Sequence, residues 1–407
     1  MGYSAIRRMN ERAEVVIAGA GPVGLTAALL LGSKGIPVTV LEAEPSISQE
    51  LRASTFHPPT LDMLAPYGIT ARMLDAGLIC PNWQVRLHPS GERAVFDLSV
   101  LKGETDHPYR LQCEQSKYAQ FVLDAIRMLP SVTLSFSTAV TSVEQNADHV
   151  TVRALSPSGE RQFVGSYLIG ADGARSAVRR ALDIEMSGDV YPETTILATT
   201  LFPFHDKLEG LSNVSYCWKP DGTFSLLRLP GVWRVSLYAR EGQTTEQALE
   251  DEAQQALLHD IVPDAGRIEV LETRPYRIHR RLAAAYRKGR VFLAGDAAHL
   301  NSPSGGMGMN GGIHDAFGLC EKLIAVLQDD ADDRILDRYE RQRRPIAEEE
   351  IIQQAHRNRS RMQERDPARR RAMLEELQRT AADAGKLKAY LLKSSMIDGL
   401  RRAAATE

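Results

Sequence analysis

Hydrophobic positions near the start of the chain fall in short β-branched runs closed by glycine. The run EVVIA at 14–18 has the pattern of a strand buried on both faces in a parallel sheet. LTAALLLGS at 25–33 then predicts a helix, and PVTVL at 37–41 a second strand. Strand, turn, helix and strand within about 30 residues make a βαβ unit.

The period changes further along. Between 80 and 100, WQVRLH and AVFDL alternate apolar and polar positions, as antiparallel strands do, before helical spacing returns over 115–128. TAVTSVEQN, HVTVRAL, an SPSG turn and RQFVGSYLIGAD predict a hairpin followed by a buried strand. In 186–287 the stretches TTILATTLF, NVSYCW, TFSLLRL and WRVSLYA predict a second antiparallel sheet, long enough to wall a pocket. RVFLAGDAAH at 290–299 is again a buried strand running into a glycine-rich loop, with a helix expected from about 312.

The expected fold is α/β, a discontinuous Rossmann-type domain with an inserted mixed or antiparallel sheet and a C-terminal helical tail. Its pieces are 12–79, 107–185 and 288–335 for the nucleotide domain, 80–106 and 186–287 for the insert, and 336–407 for the tail.

Composition narrows the class without naming a chemistry. Of 407 residues 43% are hydrophobic and 25% charged, the balance of an ordinary globular protein. A net charge of −3 gives no overall field to recruit nucleic acid or an anionic membrane. Cys80, Cys113, Cys217 and Cys320 lie far apart, which suggests neither a disulfide framework nor a metal site and fits a reducing cytoplasm. Residues 1–12 lack the length and cleavage site of a signal peptide, and the apolar run at 25–31 is far short of the ~20 residues that span a bilayer. From 357 to 407 there are 13 basic and 7 acidic residues, a local charge of +6, with leucines at helical spacing that predict a solvated amphipathic helix pair.

Three motifs carry the chemistry. Gly19-Ala20-Gly21-Pro22-Val23-Gly24 fits G-x-G-x-x-G between a strand and a helix, where backbone N–H groups and the helix dipole receive a pyrophosphate. Glu42 ends the second strand 18 residues after Gly24, in place to accept from ribose hydroxyls. Asp296 follows the strand VFLA, at the sheet edge where a carboxylate can accept from a polyol. Pro303-Ser304-Gly305-Gly306-Met307-Gly308-Met309-Asn310 then enters a helix, and its backbone can approach a flat ring closely.

With YLIGADGARSAVRRAL from Tyr167, these segments resemble the FAD-dependent aromatic hydroxylases of the para-hydroxybenzoate hydroxylase type, the single-component flavoprotein monooxygenases. The resemblance implies that Gly19, Gly21, Pro22, Val23, Gly24 and Glu42 hold the ADP half of FAD. Asp296 would bind the ribityl chain, and Pro303 with Gly306, Met307, Gly308, Met309 and Asn310 would line the flavin ring. Asp172 and Gly173 match a DG motif used for FAD and for NADH or NADPH, while Arg52 and Gln112 occupy the places of two further flavin contacts. No thioredoxin-like extension follows the tail, unlike in the longer phenol hydroxylases, and the lysine motif of flavin halogenases does not occur.

The implied activity is hydroxylation of a small aromatic or heteroaromatic, phenol-like compound by O2 through a flavin C4a-hydroperoxide, with NADH or NADPH as the electron donor. A flavin dehydrogenase without oxygen insertion and a non-catalytic redox sensor are the alternatives. Candidates for activating a phenol are Tyr216, Tyr238 and His57, and Arg228, Arg234 and Arg240 could pair with a substrate carboxylate. The expected partner is this small molecule, with no nucleic acid, membrane or metal, and a homodimer is left open.

Overall fold

The computed structural model describes residues 11–50 and 52–407, so the leading segment read for a signal peptide lies almost wholly outside them. Glu11–Ala18 sits at the centre of a parallel sheet, between Gly159–Gly170 on one side and Val38–Leu41 on the other. Val132–Ser135 and Val291–Leu293 extend the sheet outward in the same direction. The antiparallel strands Ala139–Gln145 and Val150–Ser156 pair beside Gly159–Gly170, as the hairpin pattern predicts.

The helices Pro22–Ser33 and Met307–Gln328 pack together on this sheet. The first is buried along nearly its whole length, which explains its almost uniformly apolar sequence. The second begins at Met307, about five residues before its expected start. Gly311 and Gly312, at the expected start, are packing contacts inside the helix. A Cβ on Gly311 would come within 2.3 Å of the Ile351 side chain, and one on Gly312 within 2.7 Å of Val23.

The second sheet has eight strands. In order they are His299–Leu300, Val270–Ala283, Met186–Thr200, Val232–Tyr238, Gly222–Leu229, Val214–Lys219, Asn82–Leu87 and Arg93–Asp97. One face carries its own apolar core, including Phe224, Leu226, Trp233 and Val235, under the helix Asp251–His259. The other face turns toward the first sheet's loops.

The tail departs from the expected solvated helix pair. Gln353–Gln363, Pro367–Ala382, Ala384–Ser394 and Ile397–Ala405 are helices, and Leu374, Leu377, Leu387 and Leu391 are buried against Trp83, Phe96 and Trp218 of the second sheet. Its positive charge is met locally by acids of the body, Arg371 by Glu92 and both Lys388 and Arg401 by Glu104. Among the described residues no helix is long and apolar enough to cross a membrane.

Candidate active site

Strand register brings the three motifs together. Ala18 pairs with Gly170, and Gly170 with Leu293, so these strands end level and release the turns at Gly19, Ala171 and Gly295 along one edge. That edge is where open α/β sheets bind ligands. Arg179, which the motif reading passed over, locks two of the turns by donating to the carbonyls of Ala174 and Ala297. Asp172 stiffens the middle turn with Oδ2, which accepts from the N–H groups of Ala177 and Val178, while its Oδ1 has no partner among the described residues.

A cavity of about 900 Å³ opens between this edge, the face of the second sheet and the tail. Gly19, Gly21, Pro22, Val23, Glu42, Arg52, Asp172, Gly173, Asp296, Pro303, Gly306, Met307, Gly308 and Met309 all line it, as do Tyr216 and Tyr238. Four of the expected residues stand behind the lining instead. A Cβ on Gly24 would lie 1.9 Å from the Gly19 carbonyl oxygen, so this glycine serves the approach of helix to turn. Gln112 is fully buried, its amide exchanging hydrogen bonds with Thr55 and accepting from the Ser54 hydroxyl.

Asn310 and His57 hold the glycine-rich loop from below. The Asn310 amide donates to the carbonyls of Thr55 and Gly306 and accepts from the His57 N–H and the Thr60 hydroxyl. His57 Nε2 lies 2.8 Å from the Gly305 carbonyl oxygen, which can only accept, so Nε2 carries the proton. Burial, reinforced by the Arg110 charge, pushes His57 down to about 3. His314, which hydrogen-bonds Thr60, is likewise pushed down to about 3 by burial and by Arg343.

These two neutral histidines make stability pH-dependent. Their folded pKa values lie below the unfolded value near 6.5, so the unfolded chain binds more protons in acid. Their contribution is complete above pH 6.5 and is lost as pH falls toward 3, by about 1.4 kcal/mol per pH unit for each group. Denaturant titrations are expected to show a loss of about 4 kcal/mol from the pair between pH 7 and pH 5. In His314→Gln, whose amide can still donate to Thr60, that loss should shrink by about half. An unchanged pH dependence would remove His314 as its source.

The rest of the cavity fits a dinucleotide with a polyol and a flat ring. A Cβ on Gly21 would meet nothing within 4 Å, leaving the helix N-terminus open to a phosphate. Glu42 faces the cavity while its carboxylate accepts from the N–H groups of Ala20 and Glu44. Asp296 is surrounded by protein yet open to the cavity, and none of the described residues hydrogen-bonds it. Its enclosure raises its carboxyl above the ordinary range, against the opposing influence of His299 and Arg52. Gly306, at φ +69°, caps the helix whose first-turn N–H groups lack intrahelical acceptors.

A family model described as "FAD binding domain" matches residues 12–355. A para-nitrophenol 4-monooxygenase of Pseudomonas sp. (strain WBC-3) is 35% identical over 397 residues, covering 95% of this chain and 96% of that one. The chain belongs to the FAD-dependent aromatic hydroxylases. A 6-hydroxy-3-succinoylpyridine 3-monooxygenase of Pseudomonas putida is 34% identical over 83% of this hydroxylase and 85% of its own length. The crystal structure of a p-nitrophenol 4-monooxygenase from Pseudomonas putida superposes with a TM-score of 0.89 at 32% identity, covering 96% and 98% of the two chains. This hydroxylase therefore uses FAD, O2 and a nicotinamide cosubstrate.

The two helix-turn glycines predict separable failures in the hydroxylase. Gly21→Ala is expected to keep a Tm within about 3 °C of the wild-type apoprotein, because its new methyl meets nothing, while FAD affinity falls at least about tenfold. Gly24→Ala forces its methyl into a carbonyl and should lose more than about 3 kcal/mol of stability in denaturant titration. Equal effects on folding in the two variants would contradict this division of roles.

The cavity wall on the second sheet comes from register. Thr195 lies opposite Tyr238 on one side and Tyr276 on the other, and Leu197 opposite Ser236 and Arg274. Tyr216, Ser225 and Ser236 continue that row. Tyr276, Arg274 and Arg277 all line the cavity, on a strand that alternation did not reveal. Burial raises the hydroxyls of Tyr238 and Tyr276 above the ordinary phenol value.

Proposed function

We propose that the hydroxylase acts on a phenol bearing a nitro or anionic substituent, held between Arg234 and the tyrosines of the second sheet. One observation carries this reading. Arg234 is 2% exposed and lines the cavity, and its Nη1 donates to the Arg52 carbonyl, but Nε and Nη2 have no partner among the described residues. The other two candidate arginines are engaged elsewhere, Arg240 with Asp260 and Arg228 over the Trp233 ring. A buried guanidinium with unused donors is suited to an anion, which it can bind through a planar fork.

Gly19, Gly21, Pro22, Val23 and Glu42 would hold the ADP half of FAD, Asp296 its polyol, and the 303–309 loop its ring, with Arg52 and Asp172 at the sides. FAD when bound supplies the hydride acceptance and dioxygen activation that side chains lack. The chain's residues orient and enclose. Arg234 fixes the substituent, while Tyr216 and Tyr238 present hydroxyls to the phenol oxygen and hold it ready to lose its proton. Arg234 and Tyr238 are four residues apart on one strand face, a span of about 13 Å, so a substrate between them lies along the wall. His57 and His314 stay neutral and support the loop. The relative aligned along nearly the whole chain bears para-nitrophenol in its name, in keeping with this ligand class.

The test follows nucleotide oxidation by the holoenzyme with 4-nitrophenol, 4-hydroxybenzoate and unsubstituted phenol under labelled dioxygen. One labelled oxygen atom should enter the product, with the second appearing in water, and the substituted phenols should be preferred. Turnover without label in the product, or a preference for unsubstituted phenol, would overturn the reading.

A further inference from the structure

We infer that Met362, on the helix Gln353–Gln363 of the tail, is a specificity-determining residue that limits the substrate to a single aromatic ring. The inference rests on the phenol reading above and deepens it. Arg359, Met362 and Gln363 line the cavity at the end where Tyr216 and Leu227 leave the sheet face. Met362 also packs into the apolar cluster around Trp83, Tyr216 and Leu227, so its side chain stands in the end wall.

The wall is held in place from several sides. The Trp218 indole donates to the Arg361 carbonyl at 3.0 Å, one residue before Met362. The Tyr191 hydroxyl bonds His356 at 2.6 Å, and Arg359 pairs with Glu193. Asn358 reaches the Ser304 carbonyl of the glycine-rich loop, joining the helix to the flavin side of the cavity. Beyond the helix, Arg370 donates to the carbonyls of Lys219 and Gly222 at the tip of the Tyr216 hairpin. A helix anchored to both sides of a cavity does not retreat for a longer ligand, so the side chain it presents sets the length available. Methionine suits the position because its thioether fills an irregular gap beside aromatic rings.

The size of the effect follows from the atoms removed. Met362→Ala deletes three heavy atoms from the end wall, and methylene-scale changes in an apolar pocket shift discrimination by about 10- to 200-fold. The ratio of kcat/KM for a nitronaphthol to that for 4-nitrophenol should rise at least about tenfold. Met362→Trp should weaken 4-nitrophenol binding by a similar factor, read as Kd from perturbation of the flavin absorbance.

Met373→Ala is the control. Met373 packs on the same apolar cluster but does not line the cavity, so its loss loosens the tail without opening the wall, and the ratio should stay at the wild-type value. Full FAD occupancy confirms folding in each case. A Met362→Ala ratio no different from that of Met373→Ala, together with unchanged 4-nitrophenol binding in Met362→Trp, would overturn the inference. Wild-type enzyme that hydroxylates no single-ring phenol would instead overturn the functional reading beneath it.

Discussion

Arg234→Gln is expected to lose affinity for nitrophenol and phenol-carboxylate ligands while gaining stability as the ligand-free protein. In the wild type a guanidinium is held almost entirely out of water with two donor nitrogens unused. Burial lowers its pKa, with the charges of Glu114 and Glu272 only partly opposing this. An uncompensated buried charge is costly, so replacing it with a neutral amide should raise the Tm of the apoprotein. The same replacement removes charge-assisted hydrogen bonds worth about 1.5–3 kcal/mol, which corresponds to about a 10- to 150-fold rise in Kd. Unsubstituted phenol should lose much less. Arg234→Lys should fall between, because a point charge replaces the planar fork. Thermal unfolding and ligand titration on one preparation measure both halves. A lower Tm accompanied by unchanged Kd would mean that Arg234 is a structural strut, holding the Arg52 carbonyl and nothing else.

The split between stability and binding also explains which parts of the site were legible in the sequence. The turns at Gly19, Ala171 and Gly295 were visible because backbone approach demands glycine and because buried parallel strands are apolar on both faces. The strand Val270–Ala283 was hidden for the opposite reason. Its cavity side carries Arg274 and Tyr276, its outer side exposes Leu271, and Pro275 interrupts it. A strand whose inner face meets ligand instead of core has no hydrophobic alternation to detect. His57 and Gln112 show the converse case. Both polar side chains are buried behind the loop, where they satisfy backbone and side-chain groups. Spacing alone could not separate a residue that touches the ligand from one that holds the residue that does. The tail's leucines were readable as an amphipathic face, but the surface they cover is formed by strands almost 300 residues earlier and about 160 earlier.

Asp296→Ala is expected to yield protein that folds but no longer retains FAD. The carboxylate faces the cavity with no hydrogen bond from the described residues, and enclosure raises its pKa. A group whose folded pKa exceeds its unfolded value weakens the fold as pH rises through it, so the ligand-free protein carries this charge at a cost near neutrality. Alanine removes that cost, and the variant apoprotein should unfold at a Tm equal to or above that of wild-type apoprotein. The holoenzyme should reverse the order. Hydrogen bonds from polyol hydroxyls to a carboxylate are each worth about 1.5–3 kcal/mol, so losing one or two raises the FAD Kd by about 10- to 10⁴-fold. Because bound ligand stabilises by RT ln(1 + [L]/Kd), added FAD should lift the wild-type Tm well above that of the variant at the same concentration. Asp296→Asn separates shape from charge: it keeps an acceptor oxygen and should recover part of the lost affinity, together with most of the relief in the apoprotein. If FAD raises the Tm of Asp296→Ala as far as that of wild type, the carboxylate is not a cofactor ligand, and its unpartnered oxygens must serve another occupant of the cavity.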